Sequence, residues 1–103
     1  MSCLIFWTCA QLEEARTICG QLVDQRLVAC ATIIPRVESV YRWQGSVEHA
    51  EETKVILKTT QGHFEAVKQW ICEKGSYAVP EILQIDVQQG NPAYLQWLVD
   101  ETR

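Results

Sequence analysis

The sequence has no apolar run approaching the eighteen or so residues that a membrane-spanning helix needs. Basic residues are also scarce: nine Lys and Arg stand against thirteen Asp and Glu, for a net charge of −4. That balance lacks the basic stripe of a nucleic-acid-binding surface. Histidine is limited to His49 and His63, and no C-x-x-C, H-x-H or H-E-x-x-H spacing occurs, so there is no zinc or catalytic-metal signature. No Ser-His-Asp or Cys-His arrangement is identifiable, and the expectation is a protein that is not an enzyme. After the first apolar run, Thr8-Cys9-Ala10-Gln11 holds neither a glycine run nor an arginine, unlike an anion-cradling loop. The five cysteines, Cys3, Cys9, Cys19, Cys30 and Cys72, are odd in number and lack paired spacing, which speaks against a disulfide framework. Most lie within apolar patterns, where free cysteine acts as a small hydrophobe, so reduced thiols and a cytoplasmic location are expected. The opening CLIFW is shorter than a signal-peptide core and has no basic flank, which points the same way.

What the chain does have is a 48% apolar composition over 103 residues, enough for one core and one domain spanning 1–103. Its centre is the stretch RLVACATIIPRVESVYRWQGSVEHAEETKVILKTT, from Arg26 to Thr60. Ala29 to Trp43 is rich in the β-branched and aromatic residues that fit a pleated surface. Gln44-Gly45 supplies a turn, and Val47 to Thr60 runs back. On the return, Thr53, Val55, Leu57 and Thr59 fall on one face, and Glu52, Lys54, Ile56 and Lys58 on the other. Pro35, with no N–H to give a ladder, places the first run at a sheet edge with a kink. A strand of about fourteen residues spans roughly 46 Å, whereas a compact domain of this length is only about 33 Å across. The hairpin tip therefore overhangs its own core. Such a strand pair, carrying Tyr41 and Trp43 near its tip, asks for a partner subunit to cover it.

Around this hairpin the remaining elements fall in a simple order. Ser2 to Trp7 reads as a strand covered on both faces. Thr8 and Gln11 have the spacing of a capping box before an amphipathic helix, Gln11 to Gln25, whose inner face is Leu12, Ala15, Ile18, Cys19, Leu22 and Val23. His63 to Lys74 is a second helix with Phe64, Val67, Trp70 and Ile71 inward and Gly75 at its end. Glu81 to Val87 is a fourth strand, and Asn91-Pro92 opens a last short helix. The β-α-β-β-α-β order is the ferredoxin-like split βαβ arrangement, an α+β fold with a C-terminal helix added. Its two helices cover one face of an antiparallel sheet. The bare face asks for a partner, with a polar pocket at the seam.

These residues also carry a resemblance. ACATIIPRVESVYRWQG, Glu52 followed by VILKTT, Tyr77-x-Val-Pro-Glu81 and the closing YLQWL resemble the CutA divalent-cation tolerance family, in consistent order from about Thr8 to Leu98. The resemblance implies a cytoplasmic homotrimer packed through its sheets, with long hairpins reaching onto neighbours, and a link to copper and other divalent cations. Carried over residue by residue, it marks Trp43, Glu52, Lys58, Tyr77 and Glu81 as an inter-subunit pocket. Where many members have a cysteine this chain has Trp7, and in place of a His-His-Pro it has Lys74-Gly75-Ser76.

For metal, the residues themselves offer His49 beside Glu48, Glu51 and Glu52, a modest set for a borderline cation such as copper. No tightly bound cofactor is expected. The alternatives are a small anionic ligand held by Lys58, Arg36 and Arg42, as in signalling trimers of the PII type, or a scaffold for another protein. Neither nucleic acid nor membrane is an expected partner.

Overall fold

The computed structural model describes all residues from Met1 to Arg103. Four strands and three α-helices follow in the order β1 (Ser2–Cys9), α1 (Leu12–Asp24), β2 (Cys30–Trp43), β3 (Ser46–Thr60), α2 (Phe64–Lys74), β4 (Glu81–Asp86) and α3 (Pro92–Glu101), with a 3-10 turn, Gln61–His63, leading into α2. The strands form one antiparallel sheet in the order β2-β3-β1-β4. This is the α+β, split βαβ arrangement expected from the sequence. β1 lies between β3 and β4, with Cys3, Ile5, Trp7 and Cys9 buried on the helix side and Leu4 and Phe6 only half-buried on the other. The expected cover on both faces is thus met on one face within the chain.

The core sits between the sheet and the two longer helices. From the sheet come Ile5, Trp7, Cys9, Val55 and Leu57, and from the helices Ala15, Ile18, Cys19, Leu22, Val67 and Ile71, all buried. Trp7 is among the largest fully buried side chains. Phe64 and Trp70 of α2 are only partly covered, and Trp70 Nε1 donates to Gln21 Oε1 at 2.9 Å. The alternation on β3 is as expected: Thr53, Val55, Leu57 and Thr59 are buried, and their neighbours are not. All five cysteines are free. Cys3, Cys9 and Cys19 are buried, Cys30 is half-buried, and Cys72 is exposed on α2.

β1 runs two residues past Trp7, to Cys9, and this corrects the capping box at Thr8. Gln11 precedes α1 without any side-chain cap, and the Thr8 hydroxyl turns across the sheet to Glu81 instead. Asn91 caps as expected, its Oδ1 accepting from Ala93 N–H at 3.1 Å. Gly75 ends α2 without a left-handed turn (φ −80°). Its N–H reaches the Ile71 carbonyl at 2.7 Å, and a Cβ there would meet that carbonyl oxygen at 2.8 Å. At the hairpin tip both Gln44 (φ 50°) and Gly45 (φ 86°) lie in the left-handed region, the pattern of a type I′ turn.

β3 pairs with β1 only from Thr53 to Thr60, so Ser46 to Glu52 pair with β2 alone. The hairpin thus projects from the core, and the molecule measures 44 × 26 × 22 Å. β2 is an edge strand, and its register shifts between Ile34 and Val37, at Pro35. Three steps along β2 there match two along β3, a bulge with one extra residue. Before it, Ala31 and Ile33 share the helix side with Leu57 and Val55. After it, Val37, Ser39, Tyr41 and Trp43 share the opposite side with Glu52.

Thr53 holds the bulge closed from the helix side, donating from Oγ1 to the Pro35 carbonyl at 3.2 Å. Thr53→Val keeps the shape and removes that donor. It should lower unfolding stability by about 1–2 kcal/mol, measured by denaturant unfolding at fixed protein concentration. An unchanged midpoint would mean that the bulge does not depend on this bond.

Candidate functional site

On the side of the sheet away from α1 and α2, a cleft of about 470 Å³ opens between the hairpin and the segment after α2. Thr8 of β1, Ser39, Tyr41 and Trp43 of β2, Glu52 of β3, Tyr77 to Val79 of the connector and Glu81 of β4 line it. The bulge brings the β2 aromatics here, since without the extra residue odd-numbered positions past Pro35 would face the helix side. Tyr41 and Trp43 remain 43% and 49% exposed, large apolar surfaces with no cover within the chain.

Two polar units floor the cleft. In the first, Glu81 accepts from Thr8 Oγ1 at 2.5 Å and from Lys54 Nζ at 2.8 and 3.1 Å through its two oxygens. Register explains the meeting: Thr8 pairs with Lys54 on one side and with Glu81 on the other, so the three stand in one row across the sheet. Lys54 also sits over the Phe6 ring, 4.7 Å from its centroid. Burial pushes the Glu81 carboxyl up, but the Lys54 and Thr8 hydrogen bonds together outweigh it and hold the group below the usual range. In the second unit, Tyr77 donates its hydroxyl to Glu52 Oε2 at 2.7 Å. Burial first, then this bond to a carboxylate, raise the phenol well above its ordinary value, so Tyr77 stays a donor.

Of the five residues expected in a pocket, Trp43, Glu52, Tyr77 and Glu81 come together, and Lys58 does not. It stands two rows away, paired with Cys30 and Leu4, where its amine donates to Thr32 Oγ1 at 2.9 Å and lies 3.7 Å from Cys30 Sγ. The cation beside the cleft is Lys54. Sequence reasoning passed over it because β3 offers lysine at both positions on the same face, and only the register with β1 distinguishes them. Thr8 was missed for the same reason.

The cations proposed for an anionic ligand are dispersed as well. Arg36 pairs with Glu51 at 3.1 Å, and Arg42 alternates with Trp43 to the other side of β2. With Lys54 committed to Glu81, the cleft keeps the charge of Glu52 uncompensated, so it disfavours an anion.

The metal set divides in the same manner. His49 and Glu51 lie on one side of β3, and Glu48 and Glu52 on the other. Glu51 is held by Arg36 and Glu52 by Tyr77. No group of three or more His, Cys, Asp and Glu side chains is placed to hold a metal ion. Two of the buried thiols do not make up the difference: burial, then the charge of Glu14, push Cys9 up to about 11, and burial, then Cys9, push Cys19 up to about 12. Both stay protonated at neutral pH, whereas metal ligation takes a thiolate.

The Glu81 geometry carries a pH dependence with a definite sign. A carboxyl lowered by folding contributes fully above its unfolded value, about 4.3, and that contribution is lost as pH falls through the folded value. The melting temperature should fall on acidification below about pH 4–5. Glu81→Gln should be less stable than the native chain at pH 7 and show a shallower acid limb between pH 5 and 3. Parallel curves would remove Glu81 from the acid response.

The family described as CutA1 divalent ion tolerance protein matches residues 3–101 of this chain. The chain is 42% identical to a divalent-cation tolerance protein CutA of Thermus thermophilus over 90 residues, 87% of each chain. Among solved structures, a divalent cation tolerance protein of Thermus thermophilus superposes with a TM-score of 0.96 at 39% identity, covering 100% of both chains. A CutA from Archaeoglobus fulgidus, described as periplasmic, superposes with a TM-score of 0.97 at 31% identity, again over 100% of both. With nearly its whole length matched in sequence and in fold, the chain belongs to the CutA1 divalent ion tolerance family.

Proposed function

We propose that this chain serves in the response to divalent cations, copper among them, as a homotrimer that meets metal weakly at its surface. The observation that carries the assembly is the uncovered side of the sheet. Leu4, Phe6, Ile34, Ile56, Leu83 and Ile85 share that side by register, and Leu83 and Ile85 are 53% and 41% exposed. A contiguous apolar face of this kind marks an interaction surface. The projecting hairpin gives it reach, since its outer half pairs only with itself. Two further copies of the chain are the occupants that the resemblance to the family implies.

For copper, the divided donor set leaves His49 and Glu51 on the helix side of the hairpin. One imidazole beside two exposed carboxylates, Glu51 held by Arg36 and Glu38 across from it by register, supports weak binding only, and the ring must be neutral to bind. The proposed compartment is the cytoplasm, supported by three buried thiols that pack as apolar filler. The Archaeoglobus relative described as periplasmic makes cell fractionation the deciding test.

Light scattering in line with gel filtration should give about three times the chain mass of 11.8 kDa. Leu83→Asp, which puts a charge on the bare face, should shift the protein toward monomer. A native monomer at micromolar concentration would end the assembly reading. In calorimetry at pH 7.5, copper should bind no tighter than micromolar and weaken further in His49→Ala, with zinc no tighter than copper. Submicromolar copper affinity that survives His49→Ala would place the metal at a cysteine, with half-buried Cys30 and exposed Cys72 the accessible candidates.

A further inference from the structure

We propose that the cleft beside the hairpin is a binding site for a small alkylated ammonium ion, with Trp43, Tyr41 and Tyr77 as its walls and Glu52 as its counter-charge. This goes beyond the assembly and copper reading, and neither is needed for it. The volume of about 470 Å³ falls within the range of small-molecule sites. Three aromatic side chains line a space whose uncompensated charge is negative. Aromatic walls with a carboxylate are the surroundings that attract an organic cation, through the ring quadrupole and direct charge.

The hydration of the cation and the aromatic walls choose its kind. Both oxygens of Glu81 are taken by Lys54 and Thr8, and one oxygen of Glu52 is taken by Tyr77. That leaves one Glu52 oxygen and the hydroxyls of Ser39 and Tyr41 as side-chain acceptors in the cleft, with Glu52 the one charged group among them. A primary ammonium brings three strongly hydrated N–H donors, and aromatic walls with one charged acceptor repay little of that hydration. A methylated ammonium has few or no donors to satisfy and gains most from aromatic contact. A metal ion is poorly served here, since rings do not coordinate and one carboxylate with neutral hydroxyls makes a sparse ligand set. The same chemistry already operates next door, within the chain: the Lys54 amine lies over the Phe6 ring with Glu81 as its carboxylate.

Choline and its neutral carbon isostere, 3,3-dimethyl-1-butanol, test the proposal on the full-length chain by calorimetry and thermal shift. Choline should bind and raise the melting temperature, and the isostere should bind about tenfold more weakly or not at all. Glu52→Gln and Trp43→Leu should each weaken choline about tenfold, and Tyr77→Phe, which keeps the ring, should leave it bound. Far-UV circular dichroism and light scattering establish that each variant keeps its fold and assembly. His49→Ala should not alter choline binding, which separates this site from the copper reading. Equal binding of choline and the isostere, or no binding of choline at millimolar concentration, overturns the proposal. Filling of the cleft by a neighbouring subunit's side chain would give the second result and overturn it equally. Choline affinity unchanged in both Glu52→Gln and Trp43→Leu places the cation elsewhere and has the same consequence.

Discussion

The hydrogen bond from Thr53 Oγ1 to the Pro35 carbonyl secures one extra residue in β2, and that residue decides which side of the sheet receives Tyr41 and Trp43. Strand side chains alternate with period two, so a single insertion inverts every later position. Before the bulge, β2 contributes Ala31 and Ile33 to the helix-covered core. Beyond it the helices no longer reach, and the same parity would carry the aromatic pair to the side of the hairpin bearing His49 and Glu51. The bulge moves them to the side of Glu52, Thr8 and Glu81, where they complete a cleft. Proline suits the position because an edge strand at a bulge has a residue with no ladder bond to donate.

The fold was legible wherever local pattern and packing agree. Val55 and Leu57 alternate with Lys54, Ile56 and Lys58 because one side of β3 meets the helices and the other does not. The overhang followed from strand length alone, since a strand of fourteen or fifteen residues outruns the core of a chain this size. Long-range register was not legible. Thr8 with Gln11 has capping-box spacing, but a strand hydrogen-bonded on both sides runs through Thr8 and takes its side chain for the sheet. Lys54 and Lys58 are chemically equivalent in sequence and share a face. Four residues of strand separate them by about 13 Å, which puts one beside Glu81 and the other beside Thr32. The acidic run Glu48 to Glu52 looks like a cluster when written as a line, yet alternation splits it between two sides.

Charge in the cleft is set by which of these pairings close. Lys54 and Glu81 are partly shielded, with 22% and 35% of their side chains exposed, and both are further held by Phe6 and Thr8. This pair is therefore worth more than the outlying surface bridges, Arg36 with Glu51 or Arg16 with Glu13, whose side chains are mostly solvated. Once it closes, its charges cancel. Glu52 is left with a phenol, a partner that orients a carboxylate without neutralising it. A local negative charge amid aromatic surface is the consequence, and it agrees in sign with the net charge of −4.

The cleft and the bare apolar side of the sheet are neighbours. The row Lys54–Thr8–Glu81 borders the cleft, and two positions further along the strands lies the row Ile56–Phe6–Leu83. Whatever covers Phe6 and Leu83 must come up against the wall formed by Lys54 and Glu81, and the projecting hairpin extends over the same side. In the proposed trimer, then, cleft and subunit contact share a boundary. An occupant of the cleft that touches a neighbouring subunit must strengthen assembly by the factor by which assembly strengthens its own binding, because coupling between two binding equilibria is reciprocal. The hairpin is the part suited to carry that coupling. From Val37 to Glu51 it is held by its own ladder and one turn, with no helix packed behind it. The Tyr77 bond ties it to the rest of the chain at Glu52, so its outer part costs the least to adjust.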